Sequence, residues 1–139
     1  MSTIEIEEKN LLAAAEKARE AAHAPYSRFR VGAALLTKEG KVFTGCNVEN
    51  AAFSVTNCAE RTAVFAAVAA GYQGFKAIAV SSGSEEFTSP CGACRQVLVE
   101  FNPDMKVIMG NAKGEYITRT AAELLPLYFN SRSLEVNNV

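Results

Sequence analysis

The sequence predicts an α/β protein of three layers, a mixed five-stranded sheet with helices on its faces. Two observations predict it. Two strand-like runs separated by a three-residue turn sit near the start, in "FRVGAALLTKEGKVFTGCNVEN". Beyond them the pattern alternates helix, strand, helix, strand, strand, helix, the order of a sheet covered by helices.

The elements follow in chain order. Residues 5–22 are rich in helix formers, and Leu11, Ala14, Ala15, Ala18, Ala21 and Ala22 recur at helical spacing. Early glutamates suit the positive end of the helix dipole. "HAPYSRF" stops this helix, because the residue before Pro25 resists helical angles. Strands are expected over 29–37 and 41–50, with "KEG" as the turn of a hairpin. "CAERTAVFAAVAAG" (58–71) is a helix ending at Gly71. After Thr62 it carries no polar side chain, so no face is made for water, and part of it is expected against another subunit. Strands follow at 75–82, 105–110 and 116–118, with a helix at 91–101 between the first two. A last helix, broken by Pro126, is expected within 120–129.

Length and composition fit one globular domain over 1–139, with 49% hydrophobic and 21% charged residues. A net charge of −1 with no lysine- or arginine-rich block argues against long nucleic acid as a partner. "MSTIEIEEKN" is acidic and lacks the basic start of a signal peptide, and no apolar run reaches the roughly 18 residues of a membrane span. A cytoplasmic protein with reduced thiols is expected. Cys46, Cys58, Cys91 and Cys94 are then metal ligands, catalytic groups or buried thiols before they are a disulfide framework.

Three of those cysteines open helices. Cys91 and Cys94 lie in the first turn of one, and Cys58 begins another. Helix N-termini favour thiolate over thiol. Three sulfurs from two helices suit tetrahedral zinc with one position left for water, the pattern of a catalytic site. Glu60, two positions after Cys58, is placed to act as acid and base beside that water without binding the metal. Three thiolates blunt zinc as a Lewis acid, so cations must draw charge off the sulfurs. Arg61 and Arg95 are the arginines within these two stretches. Asn47 and Glu49 alternate along a strand end, so both point to one face, suited to a polyhydroxylated ligand.

"TNCAERTA" (56–63) and "SPCGACRQV" (89–97) resemble the paired signature of the zinc-dependent deaminases, with cysteine as the first ligand. With "YSRFRVGAAL" (26–35) and "GCNVENAAFS" (45–54), the chain is similar to the small tetrameric cytidine deaminases from about residue 10 to residue 129. The resemblance implies one zinc ion per subunit on Cys58, Cys91 and Cys94, Glu60 as proton carrier, and Arg61 hydrogen-bonded to the ligand sulfurs. It implies hydrolysis of cytidine and 2′-deoxycytidine to uridine and 2′-deoxyuridine. It further implies that Asn47 and Glu49 hold the sugar, that Phe29 lines the base, and that Ala59 contacts substrate. Ala51, Phe53 and Phe129 would reach a neighbouring subunit's pocket in a homotetramer with shared sites.

Rival readings are a deaminase of another small substrate such as blasticidin S, a structural zinc module, and a redox CxxC protein. A structural site wants a fourth ligand. Cys46, expected as a buried strand thiol, and His23, expected to end a helix, are the only spare cysteine and histidine. A redox pair would leave Cys58 and Glu60 without a role. Glu5, Glu7 and Glu8 are expected as a solvated helix start.

Overall fold

The computed structural model describes residues 2–135. Ser2 starts helix α1 (Thr3–Ala18), its hydroxyl accepting from the Glu5 amide at 3.1 Å. The helix tightens into a 3-10 turn at Arg19–Ala21 before the chain reaches Pro25. Strands β1 (Val31–Thr37) and β2 (Val42–Cys46) form the hairpin, with Leu36 opposite Val42 and Gly32 opposite Cys46. Gly40, at φ 91°, makes the turn that a side chain would strain.

The expected second strand over 41–50 is shorter than the sequence predicts. Beyond Cys46, Val48 makes only isolated bridges, to His23 and Asn57. His23 draws the chain there off the sheet: its amide donates to the Asn47 carbonyl at 3.0 Å, and its carbonyl accepts from the Glu49 amide at 2.8 Å. Helix α2 (Ala59–Ala69), strand β3 (Phe75–Ser82), helix α3 (Gly92–Phe101) and strands β4 (Lys106–Gly110) and β5 (Tyr116–Thr120) follow. The helix expected within 120–129 is a single turn, α4 (Ala121–Leu124). Thr120 and Glu123 start it with a reciprocal capping box, but Pro126 follows too closely for a second turn.

The sheet runs β2-β1-β3-β4-β5, with β3 and β4 parallel and every other pair antiparallel. Alternation along the strands divides the interior in two. Ala34, Ala77, Ala79 and Ile108 face Leu11 and Ala15 of α1. Ala33, Leu35, Ile78, Val107 and Met109 face the opposite way, against Ala63, Val64 and Ala67 of α2 and Leu98 and Val99 of α3. Three layers result.

Gly45 decides how closely α2 crosses the sheet. A Cβ there would lie 2.5 Å from both the Ala59 carbonyl oxygen and the Ala63 amide nitrogen. The first turns of α2 therefore rest directly on β2, which sets where Cys58 and Glu60 stand. Among the described residues the far side of the same helix is uncovered: Phe65 is 49% exposed, and Ala66, Ala69 and Ala70 are exposed with it. Among the described residues, no helix is long and apolar enough to cross a membrane.

Candidate active site

Helices α2 and α3 start beside each other. Cys58 is the N-cap residue of α2, Cys91 is that of α3, and Cys94 lies in the first turn of α3. Neither cysteine cap's sulfur accepts from the backbone amides of its own helix, so the sulfurs are free to face one another. The three Sγ atoms lie within 4.8 Å of one another, and those of Cys58 and Cys91 are 3.7 Å apart. That spacing is far beyond the roughly 2.05 Å of a disulfide. It is the edge, about 3.8 Å, of a tetrahedron whose metal–sulfur bonds are 2.3 Å. All four cysteines are free thiols. The donor set fits one zinc ion.

Among the described residues no fourth histidine, cysteine or carboxylate joins these sulfurs. Cys46 ends β2, only partly buried, and neither it nor His23 lies in the sulfur cluster. The structural-zinc reading loses its fourth ligand.

Charge at the thiols is unequal. Hydrogen bonds from Cys94, Arg61 and Cys91 hold the Cys58 thiol down at about 5, against the cost of its burial. The same contact with Cys58, together with burial, drives the Cys94 thiol well up. Without a cation, one thiolate is stable here and a second beside it is not; a divalent ion removes that conflict. Arg61 Nη2 donates to Cys58 Sγ at 3.3 Å, which pushes the guanidinium pKa further up. Its Nε is buried without a partner.

Arg95 takes no part in this. Its Nε donates to the Pro90 carbonyl (2.8 Å), one terminal nitrogen to the Leu124 carbonyl (2.7 Å), and the other to Ser89 Oγ (2.5 Å). It ties the loop before α3 to the end of α4. Of the two arginines considered for charge compensation, only Arg61 touches sulfur.

Glu60 is 4% exposed. Burial, reinforced by the Cys58 thiolate, raises its carboxyl to about 7. A carboxyl poised there exchanges protons at neutral pH, as a general acid and base must. Ala59 beside it is fully buried.

Asn47 and Glu49 reach the same segment, residues 26–31. Asn47 Nδ2 donates to the Phe29 carbonyl (2.7 Å), and its Oδ1 accepts from the Val31 amide (2.9 Å). Glu49 Oε1 accepts from the Tyr26 and Ser27 amides (2.9 and 3.1 Å), and its Oε2 accepts from the Ser27 hydroxyl. Those bonds, the Ser27 hydroxyl foremost, lower the Glu49 pKa. Phe29 is 47% exposed. Phe53 meets Tyr26 edge-on at 6.1 Å between ring centroids. Ala51, Phe53 and Phe129 are exposed, and the Phe129 carbonyl is held by Gln96 Nε2 at 2.8 Å.

Reasoning from the sequence passed over Ser27. Serine after Pro-Tyr is an ordinary turn residue, and no local signal says that a carboxylate 22 positions later will take its hydroxyl.

Fold and site together define a class: an α/β metal-dependent hydrolase with a thiolate-rich centre. The family model for the cytidine and deoxycytidylate deaminase zinc-binding region matches residues 5–111, and the chain belongs to that family. It is 53% identical to the cytidine deaminase of Sporosarcina psychrophila over 127 residues, 91% of this chain and 93% of that one. The cytidine deaminase of Halalkalibacterium halodurans is 50% identical over 125 residues, 89% of this chain and 95% of that one. The crystal structure of cytidine deaminase from Burkholderia pseudomallei superposes with a TM-score of 0.85 at 50% identity, covering 93% of this chain and all of that one.

Proposed function

We propose that this chain, as one catalytic domain over 1–139, deaminates cytidine and 2′-deoxycytidine hydrolytically, giving uridine or 2′-deoxyuridine and ammonia. The single observation that carries the reading is the pairing of a three-sulfur centre with a buried carboxyl poised near neutrality. Relatives at about 50% identity over most of both chains carry the name of that activity.

Cys58, Cys91 and Cys94 would hold zinc. When bound, zinc supplies a Lewis acid that acidifies water at neutral pH. The chain's own residues do the rest. Glu60 takes the proton that water gives up as its oxygen attacks the ring carbon bearing the amine. It passes that proton to the adjacent ring nitrogen, then takes the proton of the newly formed C–OH and delivers it to the amine, so that the C–N bond breaks, ammonia leaves and the carbonyl forms. The buried setting keeps Glu60 easy to protonate, which a carrier needs. Arg61 offsets the negative charge of the sulfurs so that the centre remains electrophilic.

Phe29 lines the base, Ala59 flanks it at the start of α2, and Asn47 and Glu49 hold the sugar. Asn47 keeps one N–H unspent after its two backbone bonds, and Glu49 Oε2 keeps an acceptor site beyond Ser27. Ala51, Phe53 and Phe129 complete the site of a neighbouring subunit in a homotetramer. Their exposure, and the uncovered apolar face of α2, support that assembly. Four free thiols support a cytoplasmic location.

The test is direct. Cytidine incubated with the protein should lose its ultraviolet signature in favour of that of uridine, and a chelator should abolish the change. Product formed at an undiminished rate after zinc removal would overturn the reading.

A further inference from the structure

Residues 26–31 carry Phe29 on a strap with almost no packing of its own, since Tyr26 through Arg30 are all exposed. Arg28 within this strap adopts φ 59°, a left-handed conformation unusual for a side chain other than glycine. Such a residue persists only where its neighbours over-determine the backbone. Here the determination is polar, and it converges on one hydroxyl.

The Ser27 hydroxyl donates to Glu49 Oε2 and accepts from the Phe29 amide at 3.0 Å. It is therefore bonded at once to a carboxylate and to the backbone of an aromatic residue. The Ser27 amide also donates to Glu49 Oε1, so the carboxylate is gripped at both oxygens by one residue. Asn47 closes the opposite side of Phe29, taking its carbonyl at 2.7 Å. Phe29 thus has its N–H committed through Ser27 and its C=O through Asn47. The carboxylate has about four acceptor sites. Three are used within the strap, by two amides and one hydroxyl, which leaves one for a ligand.

We propose that Ser27 is a positioning residue for nucleoside binding: its hydroxyl locks the Glu49 carboxylate and the Phe29 backbone into one arrangement, so that sugar and base meet prearranged partners. This rests on the reading of Glu49 and Phe29 as nucleoside contacts. Ser27 itself touches neither zinc ligand nor Glu60 among its hydrogen bonds. Removing its hydroxyl should weaken binding of ground state and transition state alike, which raises KM and leaves kcat unchanged.

The experiment is a double-mutant cycle in the zinc-loaded enzyme. Ser27→Ala should raise KM for cytidine about five- to tenfold, the scale of one hydrogen bond to a charged group at a solvent-facing site, with kcat within about twofold. Glu49→Gln should raise KM further. In the Glu49→Gln background, Ser27→Ala should add little, because the residue acts through the carboxylate. Ser27→Thr, which keeps a hydroxyl, should restore most of the loss, and it carries the test if Ser27→Ala does not fold. Additive effects of the two substitutions, or a fall in kcat with KM unchanged, would overturn the role assigned to Ser27. If Glu49→Gln raises KM and Ser27→Ala does not, Ser27 alone is misassigned. If Glu49→Gln leaves KM unchanged, the sugar reading of Glu49 itself fails, and the role of Ser27 goes with it.

Discussion

Two glutamates of this protein, Glu60 and Glu49, live under opposite physics. Glu60 is nearly sealed between α2 and the thiol centre, and burial lifts its carboxyl to about 7. Glu49 is only partly buried, and hydrogen bonds from Ser27 and Tyr26 pull its pKa below the ordinary value. The difference sorts their tasks. A carboxyl that gains and loses a proton near neutrality can carry protons, and a carboxylate held ionised by donors can only accept hydrogen bonds. The thiol centre is governed by charge, with Cys94 and Glu60 buried and Cys91 exposed. The strap works through directed polar contacts on an exposed backbone.

Changes at the buried carboxyl test the contrast most severely. Glu60→Gln should lower kcat by about 10³- to 10⁴-fold, the range for loss of a general acid and base, while metal analysis still finds zinc bound. Loss of zinc instead would make Glu60 a ligand and erase the contrast with Glu49.

Removing the metal exposes the same burial as a stability effect. In chelated protein the native state keeps the Glu60 proton up to about 7, whereas the unfolded chain releases it near the ordinary glutamate value of 4.5. Stability should therefore fall as pH rises across that window, by about 3 kcal/mol in all. Glu60→Gln should lack this loss. Denaturant titrations of both proteins between pH 4.5 and 7 measure it, and a difference that does not grow with pH would mean Glu60 is not desolvated.

Gly45→Ala probes the helix rather than the carboxyl. With the α2 backbone 2.5 Å from the new Cβ, overpacking should cost about 2 kcal/mol and lower Tm. The strap at 26–31 is held by Asn47 and Glu49 instead, so amide exchange there should change less than exchange at the start of α2.

The smallest effect belongs to Arg61. Arg61→Gln should slow turnover about tenfold with most zinc retained, as expected of a residue that touches a ligand and not the metal. An unchanged rate would show that the helix dipoles suffice to balance the sulfurs.

The thiol centre was legible in the sequence. Cys58, Glu60, Cys91 and Cys94 fall within the first turns of two helices, where residue identity and spacing set both the helix start and the side chains presented there. The five strands were legible as short apolar runs bounded by turn residues, but which side chain enters which layer was not, because β1, β3 and β4 are apolar and buried on both faces. The last helix was overread, because apolar spacing in "TAAELLPLYF" outlasts the single turn that Pro126 permits. Arg95 was undecidable: its three partners come from the loop at 89–90 and from Leu124, and no pattern along the chain joins them.

By itself, then, the sequence determined the ligand set, the carboxyl beside it and the layering of the fold, all consequences of short-range spacing. Tertiary structure alone decided that Glu60 is buried and that Glu49 accepts from three donors of one segment. It also decided that Asn47 and Glu49 spend themselves on the strap that carries Phe29. Burial and hydrogen-bond partnership belong to neighbours in space, and the neighbours of Glu49 lie 22 and 23 residues back along the chain.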